Sequence, residues 1–201
     1  SRPNPIPSAP ADRASSPAGV RAPTRSAGGS GDRAAPPASP PAKEDPNRPR
    51  GLHVYGQKAA LCFEADTTRA GWPTVLLEAA LATAPRQYDW AGKIRLQLTR
   101  LELPVVAAVL LGWLPRREYK NHGPDHHKGF SLEDQGATFF VRVFAKDQPV
   151  REVPMIPEEA FPVAALVLRQ LQAATPGLEG AALLAVLQGT VGRMKPVGGR
   201  S

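Results

Sequence analysis

Lys93-Ile94-Arg95-Leu96-Gln97-Leu98-Thr99 alternates polar and apolar side chains without a fault, and the residues that follow it change period. Ile94, Leu96 and Leu98 fall on one face of a strand and Lys93, Arg95, Gln97 and Thr99 on the other, the pattern of a sheet with one packed side and one wet side. Directly afterwards Leu101, Val105, Ala108, Val109 and Leu110 recur at helical spacing, Pro104 suits a first helical turn, and Gly112 is a stop signal. The change of period marks a strand that hands over to a helix, one piece of the chain expected to be α+β.

Upstream the alternation recurs. Ala59, Leu61, Phe63 and Ala65 share one face, and Lys58, Ala60, Cys62 and Glu64 share the other. Leu52-His53-Val54-Tyr55 precedes this run across Gly56-Gln57, which reads as a tight hairpin turn. Residues 74–81 form a third candidate strand, although their Leu and Ala content fits a helix nearly as well. Downstream, residues 119–136 are polar and rich in His and Gly and read as a loop. Strands resume at 138–146 and 150–156, with a turn around Asp147-Gln148-Pro149. A helix then opens at Pro157, with Glu158 and Glu159 at the positive end of its dipole and a stripe of Phe161, Ala164, Leu168 and Leu171. A further helical piece is expected over 178–188. No repeat of solenoid length is visible, and the order of four strands, a helix, three or four strands and a helix predicts two sheets with a helical layer.

The chain has 201 residues, 25 Lys+Arg against 18 Asp+Glu, a formal net charge of +7 and a pI of about 10.0. Its single Cys excludes an internal disulfide and points to a reducing compartment. The longest uncharged apolar run, 103–114, is broken by Pro104 and falls short of the roughly 20 residues that span a bilayer, so a soluble, non-secreted protein is expected, in a bacterial cytoplasm or nucleoid, a plastid or a mitochondrion. Ser1-Arg2-Pro3 carries no signal-peptide core, and without an initiator Met a start inside a longer precursor or gene product is expected.

Of the 23 prolines, 12 lie in residues 1–50, among Ala, Ser, Gly and Arg and few large apolar side chains. That stretch buries too little to offset an ordering cost of roughly 1–2 kcal/mol per residue, and is expected to be a disordered arm. It carries a net +4, which fits a solvating linker, the remains of a targeting segment or an accessory nucleic-acid contact; the same composition follows from a GC-rich genome. Residues 51–190 then make one domain with a single core, and 191–201, with Arg193, Lys195 and Arg200, a flexible basic tail.

No glycine-rich phosphate loop, nucleophile elbow, paired-Cys metal motif or His-Glu-x-x-His signature occurs, so neither an enzyme nor a cofactor is expected. His122, His126 and His127, with Asp125, offer metal-ligand chemistry, but a Gly/Pro-rich stretch without Cys fits a solvated loop better, and no metal is expected. The positive signal lies on the strand faces. Thr138, Phe140, Arg142, Phe144 and Lys146 share a face on which aromatic rings for base stacking alternate with cations for phosphates. Lys93, Arg95 and Gln97 offer a second polar, cationic face. The plainer reading makes Phe140 and Phe144 core residues and the cationic faces merely wet.

His53-Val54-Tyr55-Gly56-Gln57-Lys58-Ala59-Ala60-Leu61-Cys62-Phe63-Glu64 resembles the Val-Tyr-Lys-Gly-Lys-Ala-Ala-Leu-Ser-Phe-Glu signature of the Whirly family of single-stranded DNA-binding proteins. Arg86-Gln87-Tyr88-Asp89-Trp90-Ala91-Gly92-Lys93 is similar to that family's Arg-Gln-Tyr-Asp-Trp segment, and an alternating strand and a helix ending Leu110-Leu111-Gly112 follow it here as there. A His/Gly/Lys-rich loop (123–129), a Phe-Phe strand (138–144) and an Ile156-Pro157 helix start continue the order, so the resemblance spans about residues 52–175.

The resemblance implies two four-stranded antiparallel sheets packed crosswise under a helical layer, and four subunits arranged through their helices. It also implies single-stranded DNA along the sheet edges, bound with little sequence preference in genome maintenance. The kinetoplastid mitochondrial RNA-binding proteins share the architecture, so RNA binding or annealing is an alternative, and a module that pairs sheet edges with protein partners is another. Gly56 and Gln57 replace the first Lys and the Gly of the signature, so that turn is expected to differ and Lys58 alone keeps the motif's charge. The family's acidic, aromatic C-terminal extension is not evident. The candidate nucleic-acid contacts are Tyr55, Lys58, Tyr88, Trp90, Lys93, Arg95, Gln97, Phe140 and Arg142. Trp90 and Tyr88 are read as base-stacking rings, with a core role for Trp90 as the alternative.

Overall fold

A computed structural model describes residues 51–194; the predicted arm 1–50 and residues 195–201 of the predicted tail lie outside them. The first sheet holds β1 (Leu52–Tyr55), β2 (Ala59–Thr67), β3 (Pro73–Ala84), β4 (Gln87–Tyr88) and β5 (Ile94–Gln97), all antiparallel. The Gly56 N–H closes the β1–β2 turn on the Ala59 carbonyl at 2.9 Å. Gly56 packs closely at this turn: a Cβ there would lie 3.1 Å from the Ala59 carbonyl oxygen and 3.2 Å from Val153 Cγ1.

β3 is the strand whose Leu/Ala content also fits a helix. Pairing settles the matter: nine of its residues pair with β2 from Ala59↔Leu81 to Thr67↔Pro73, and its other edge is shared by β4 and β5. A central strand has both faces covered, so it reads as a near-continuous apolar run without alternation. The expected four strands are therefore five. The fifth, β4, is two residues long, too short to leave a period in the sequence.

The second sheet runs in the order β6 (Arg116–His122), β7 (Lys128–Asp134), β8 (Phe139–Ala145) and β9 (Arg151–Met155). Most of the stretch expected as a loop, 119–136, is thus the β6–β7 hairpin. β6 is an edge strand with few buried side chains, which makes it polar throughout and hides it from a hydrophobic pattern.

β9 touches β1, β2 and β3 in turn, which a five-residue strand running parallel to them would not do, so the sheets meet crosswise. α1 (Glu102–Leu110), α2 (Pro157–Ala174) and α3 (Gly180–Val191) supply the helical layer. The start of α1 is held reciprocally. The Thr99 N–H donates to Glu102 Oε2 at 2.8 Å, and the Glu102 N–H donates to Thr99 Oγ1 at 3.3 Å. One apolar cluster joins the inner faces (Leu61, Leu77 and Ile94; Phe130, Val141 and Val153) to Val109, Val163 and Leu187 of the three helices.

Two helical expectations change in detail. Leu171 of the predicted stripe is buried, whereas Phe161 is 76% exposed and Ala164 and Leu168 are half-buried. The core-facing side of α2 is Ala160, Val163, Leu166, Val167 and Leu171 instead. At the end of the described residues Val191 is buried and Met194 packs on the core, so residues 191–194 of the predicted tail belong to α3 and the turn after it.

Candidate nucleic-acid interface

Cross-strand register decides which side chains share the outer face of the first sheet. Val54 points into the core, so His53 and Tyr55 point out, opposite Cys62 and Ala60. On β3 the outward residues are Leu76, Glu78 and Ala80, and on β5 they are Arg95 and Gln97. Ala60 and Ala80 are small and fully buried on this face, which leaves room above them for rings arriving from the neighbouring strands.

Four rings do arrive. His53 and Tyr55 lie parallel with centroids 5.7 Å apart, Tyr88 of β4 is 5.5 Å from Tyr55, and Trp90 stands edge-on to His53 at 5.3 Å. The Tyr88 hydroxyl donates to the Gly56 carbonyl at 2.9 Å, tying β4 to the β1–β2 turn. Trp90 is half-buried and outside the apolar core cluster. Its connection is braced from both sheets. The Gly92 N–H donates to Asp89 Oδ1 at 2.9 Å, and Arg151 of β9 donates to the Gly92 carbonyl at 3.2 Å and the Pro149 carbonyl at 2.6 Å. Arg151 is buried, and that burial pulls its pKa below the ordinary arginine value.

The rings border open space. A cleft of about 670 Å³ lies between Tyr55, Tyr88 and the β3–β4 turn with Arg86. A second, about 490 Å³, runs from Tyr55 and Lys58 to Phe140, Glu152 and Pro154 of the second sheet. Both include Tyr55, Gly56 and Gln57, so they form one path from the first sheet to the second. Lys58 and Arg86 are exposed beside it, and neither makes an ion pair with a described residue. Arg86 holds φ 62° at the second corner of the Pro85-Arg86 turn, a conformation costly for a non-glycine side chain.

On the second sheet Val141, Val143 and Ala145 face the core, and Phe140, Arg142 and Phe144 are half-buried on the outer side. Phe144 lies over Gly129, where a Cβ would come within 2.4 Å of its ring; the glycine makes the place for that ring.

The predicted residues thus fall into two groups. Tyr55, Lys58, Tyr88, Trp90 and Phe140 gather at the rings and the cleft. Lys93, Arg95, Gln97 and Arg142 are engaged with partners of the same chain: Lys93 Nζ lies 2.7 Å and Arg95 Nε 3.3 Å from the Glu78 carboxylate, Gln97 donates to Asp66 Oδ2 at 2.8 Å, and Arg142 Nε is 2.9 Å from Glu152 Oε1. His53 and Arg86 escaped the reading of the sequence as site residues. The signal for His53 was its two-residue spacing from Tyr55; nothing local marked Arg86 as unpaired.

Two further groups take other roles. His122, expected in a solvated loop, is buried at the end of β6 with Nε2 2.9 Å from Glu102 Oε1, because the carboxylate that caps α1 reaches it. Among the described residues no group of three His, Cys, Asp or Glu is placed to hold a metal ion. The Cys62 thiol is pushed up to about 12, first by burial and then by Glu64 and Glu78, so it stays protonated at neutral pH.

Fold and face together define an α+β protein of two crossed antiparallel sheets, one of which presents a row of rings beside unpaired cations. Solved structures similar to it include WHY1 from Arabidopsis thaliana (18% identity, TM-score 0.46, over 72% of this chain and 94% of that one), WHY3 from the same plant (18%, 0.46, over 73% and 98%) and the plant transcriptional regulator PBF-2 (22%, 0.45, over 74% and 89%). WHY1 and WHY3 are Whirly proteins, the family that the sequence motifs resemble. No family model and no curated protein matches the chain. At these identities and scores the likeness carries no function across, and the chemistry of the face has to supply it.

Proposed function

We propose that this protein binds single-stranded nucleic acid, DNA in the first place, along the ring row Tyr88–Tyr55–His53–Trp90 and the adjoining cleft. The observation that carries the reading is the row itself: four rings outside the core, three of them from the outer face of one sheet, next to Lys58 and Arg86, whose charges no described carboxylate neutralises. Stacking on such rings needs unpaired bases, is worth roughly 1–3 kcal/mol per base and tolerates any base, while cations follow the phosphates. Phe140 at the far end of the cleft extends the path to the second sheet. The protein's role is then to cover or organise exposed strands in a compartment that holds nucleic acid, without catalysis.

The same reading includes self-assembly. Phe161 stands exposed on α2 at the rim of a cleft of about 320 Å³ with Leu110, Leu111, Phe139 and Leu168, and Leu184 and Val186 are exposed on α3. Burying these apolar groups between copies, in a homotetramer, lines up several ring rows for one strand and multiplies a chain charge of +7. Titration of a fluorescent single strand and of its duplex, at one salt concentration, tests the binding: the single strand is expected to bind tighter, with weak base preference. Equal affinities would remove the proposal.

A further inference from the structure

The cations that the sheet faces offer to phosphate are matched by carboxylates of the same chain. Glu78 sits on the central strand β3, with Cys62 of β2 and Arg95 of β5 as its register partners. It is buried, and its two oxygens hold Lys93 Nζ at 2.7 Å and Arg95 Nε at 3.3 Å. Glu152 faces Arg142 across the β8–β9 ladder and holds its Nε at 2.9 Å. Glu78 keeps only about 8% of its side chain exposed, so it stays beside these cations. A phosphate that reaches Lys93 or Arg95 must therefore share them with Glu78, at a range where salt screens poorly.

We propose that Glu78 and Glu152 are built-in competitors of the nucleic-acid phosphates. Glu152 pairs with Arg142 and Glu78 offsets one of the two charges of Lys93 and Arg95, so that the strand is positioned chiefly by the rings and by the unpaired Lys58 and Arg86, and affinity stays below what the sheet's cations would otherwise give. This rests on the single-strand reading above, and it predicts a gain of binding on removing a charge, which the loss of a merely structural ion pair would not produce.

The experiment measures binding of an oligothymidylate to the full chain and to its Glu78→Gln and Glu152→Gln variants over a salt series. Each variant is expected to bind roughly two- to fivefold tighter, the size of one surface ion pair. Its plot of log affinity against log salt should steepen by about 0.7 for each phosphate newly contacted. Adding Lys93→Ala and Arg95→Ala to Glu78→Gln should abolish both changes. Folded variants that bind as the parent does, or more weakly, with an unchanged slope overturn the proposal. Should Glu78→Gln fail to fold, Glu152→Gln, whose pair is partly exposed, decides alone by the same criteria. If the parent chain binds no single strand at all, the reading beneath the proposal fails, and the proposal with it.

Discussion

Trp90 and Arg86 do different work at the interface, and single substitutions separate them. Trp90 lies outside the core cluster and joins the row through its perpendicular contact with His53, so its loss leaves the packing of both sheets in place. Trp90→Ala is expected to weaken single-strand binding by roughly 1–3 kcal/mol with little change in melting temperature or in the salt slope, because a ring carries no charge. A folded Trp90→Ala protein with unaltered affinity would exclude this ring from the site. Arg86 is the opposite case, since its backbone pays for its place: φ is 62°, and the preceding Pro85 suits the first corner of a turn whose second corner favours glycine. Arg86→Gly should therefore raise stability by about 1 kcal/mol while lowering affinity and flattening the salt slope by about 0.7. Thermal melts and salt-dependent titrations of the one variant check both halves. A fall in stability would show that the strained turn is not what the arginine costs.

The α1 helix and the β6 strand depend on one carboxylate. Glu102 caps the helix through Oε2 and pairs with the buried His122 through Oε1, so two elements on either side of a chain reversal share it. Glu102→Ala removes the cap, worth about 1 kcal/mol, and leaves the imidazole buried without its partner, at a further cost of about 1–3 kcal/mol. Thr99→Ala removes the other half of the cap alone and should cost only about 1 kcal/mol. Urea denaturation of the two variants should rank them in that order. Equal losses would mean that the His122 contact contributes nothing.

Assembly is where local patterns and global charge meet. An exposed Phe161 on a helix whose opposite face is in the core is a poor surface for a free monomer and a good one for a contact between copies. Light scattering on the full chain at micromolar concentration is expected to give four times the 21.4 kDa chain mass, and Phe161→Asp to shift it toward the monomer while the melting transition persists. A monomer mass for the parent chain would refute the assembly. Among the described residues no helix is long and apolar enough to cross a membrane.

Much of this architecture was legible one strand at a time. The alternation of 93–99, 59–65 and 138–146 records which side of each strand is buried, and the shift to helical spacing after Thr99 marks the change of element, because burial leaves its period in local sequence. Strand β4 and the edge strand β6 left no such mark: one is two residues long, and of the other only the polar His122 is buried. The interface divides in the same way. Ring and cation types were visible in order along the chain, but the tertiary structure alone decided that Tyr88 and Trp90 reach His53 and Tyr55 across two intervening strands. It alone decided that Glu78 binds both Lys93 and Arg95 while Lys58 and Arg86 make no ion pair with a described residue. Those pairings are set by register between strands far apart in sequence, and the position of a charge along the chain does not encode which opposite charge the folded sheets will lay beside it.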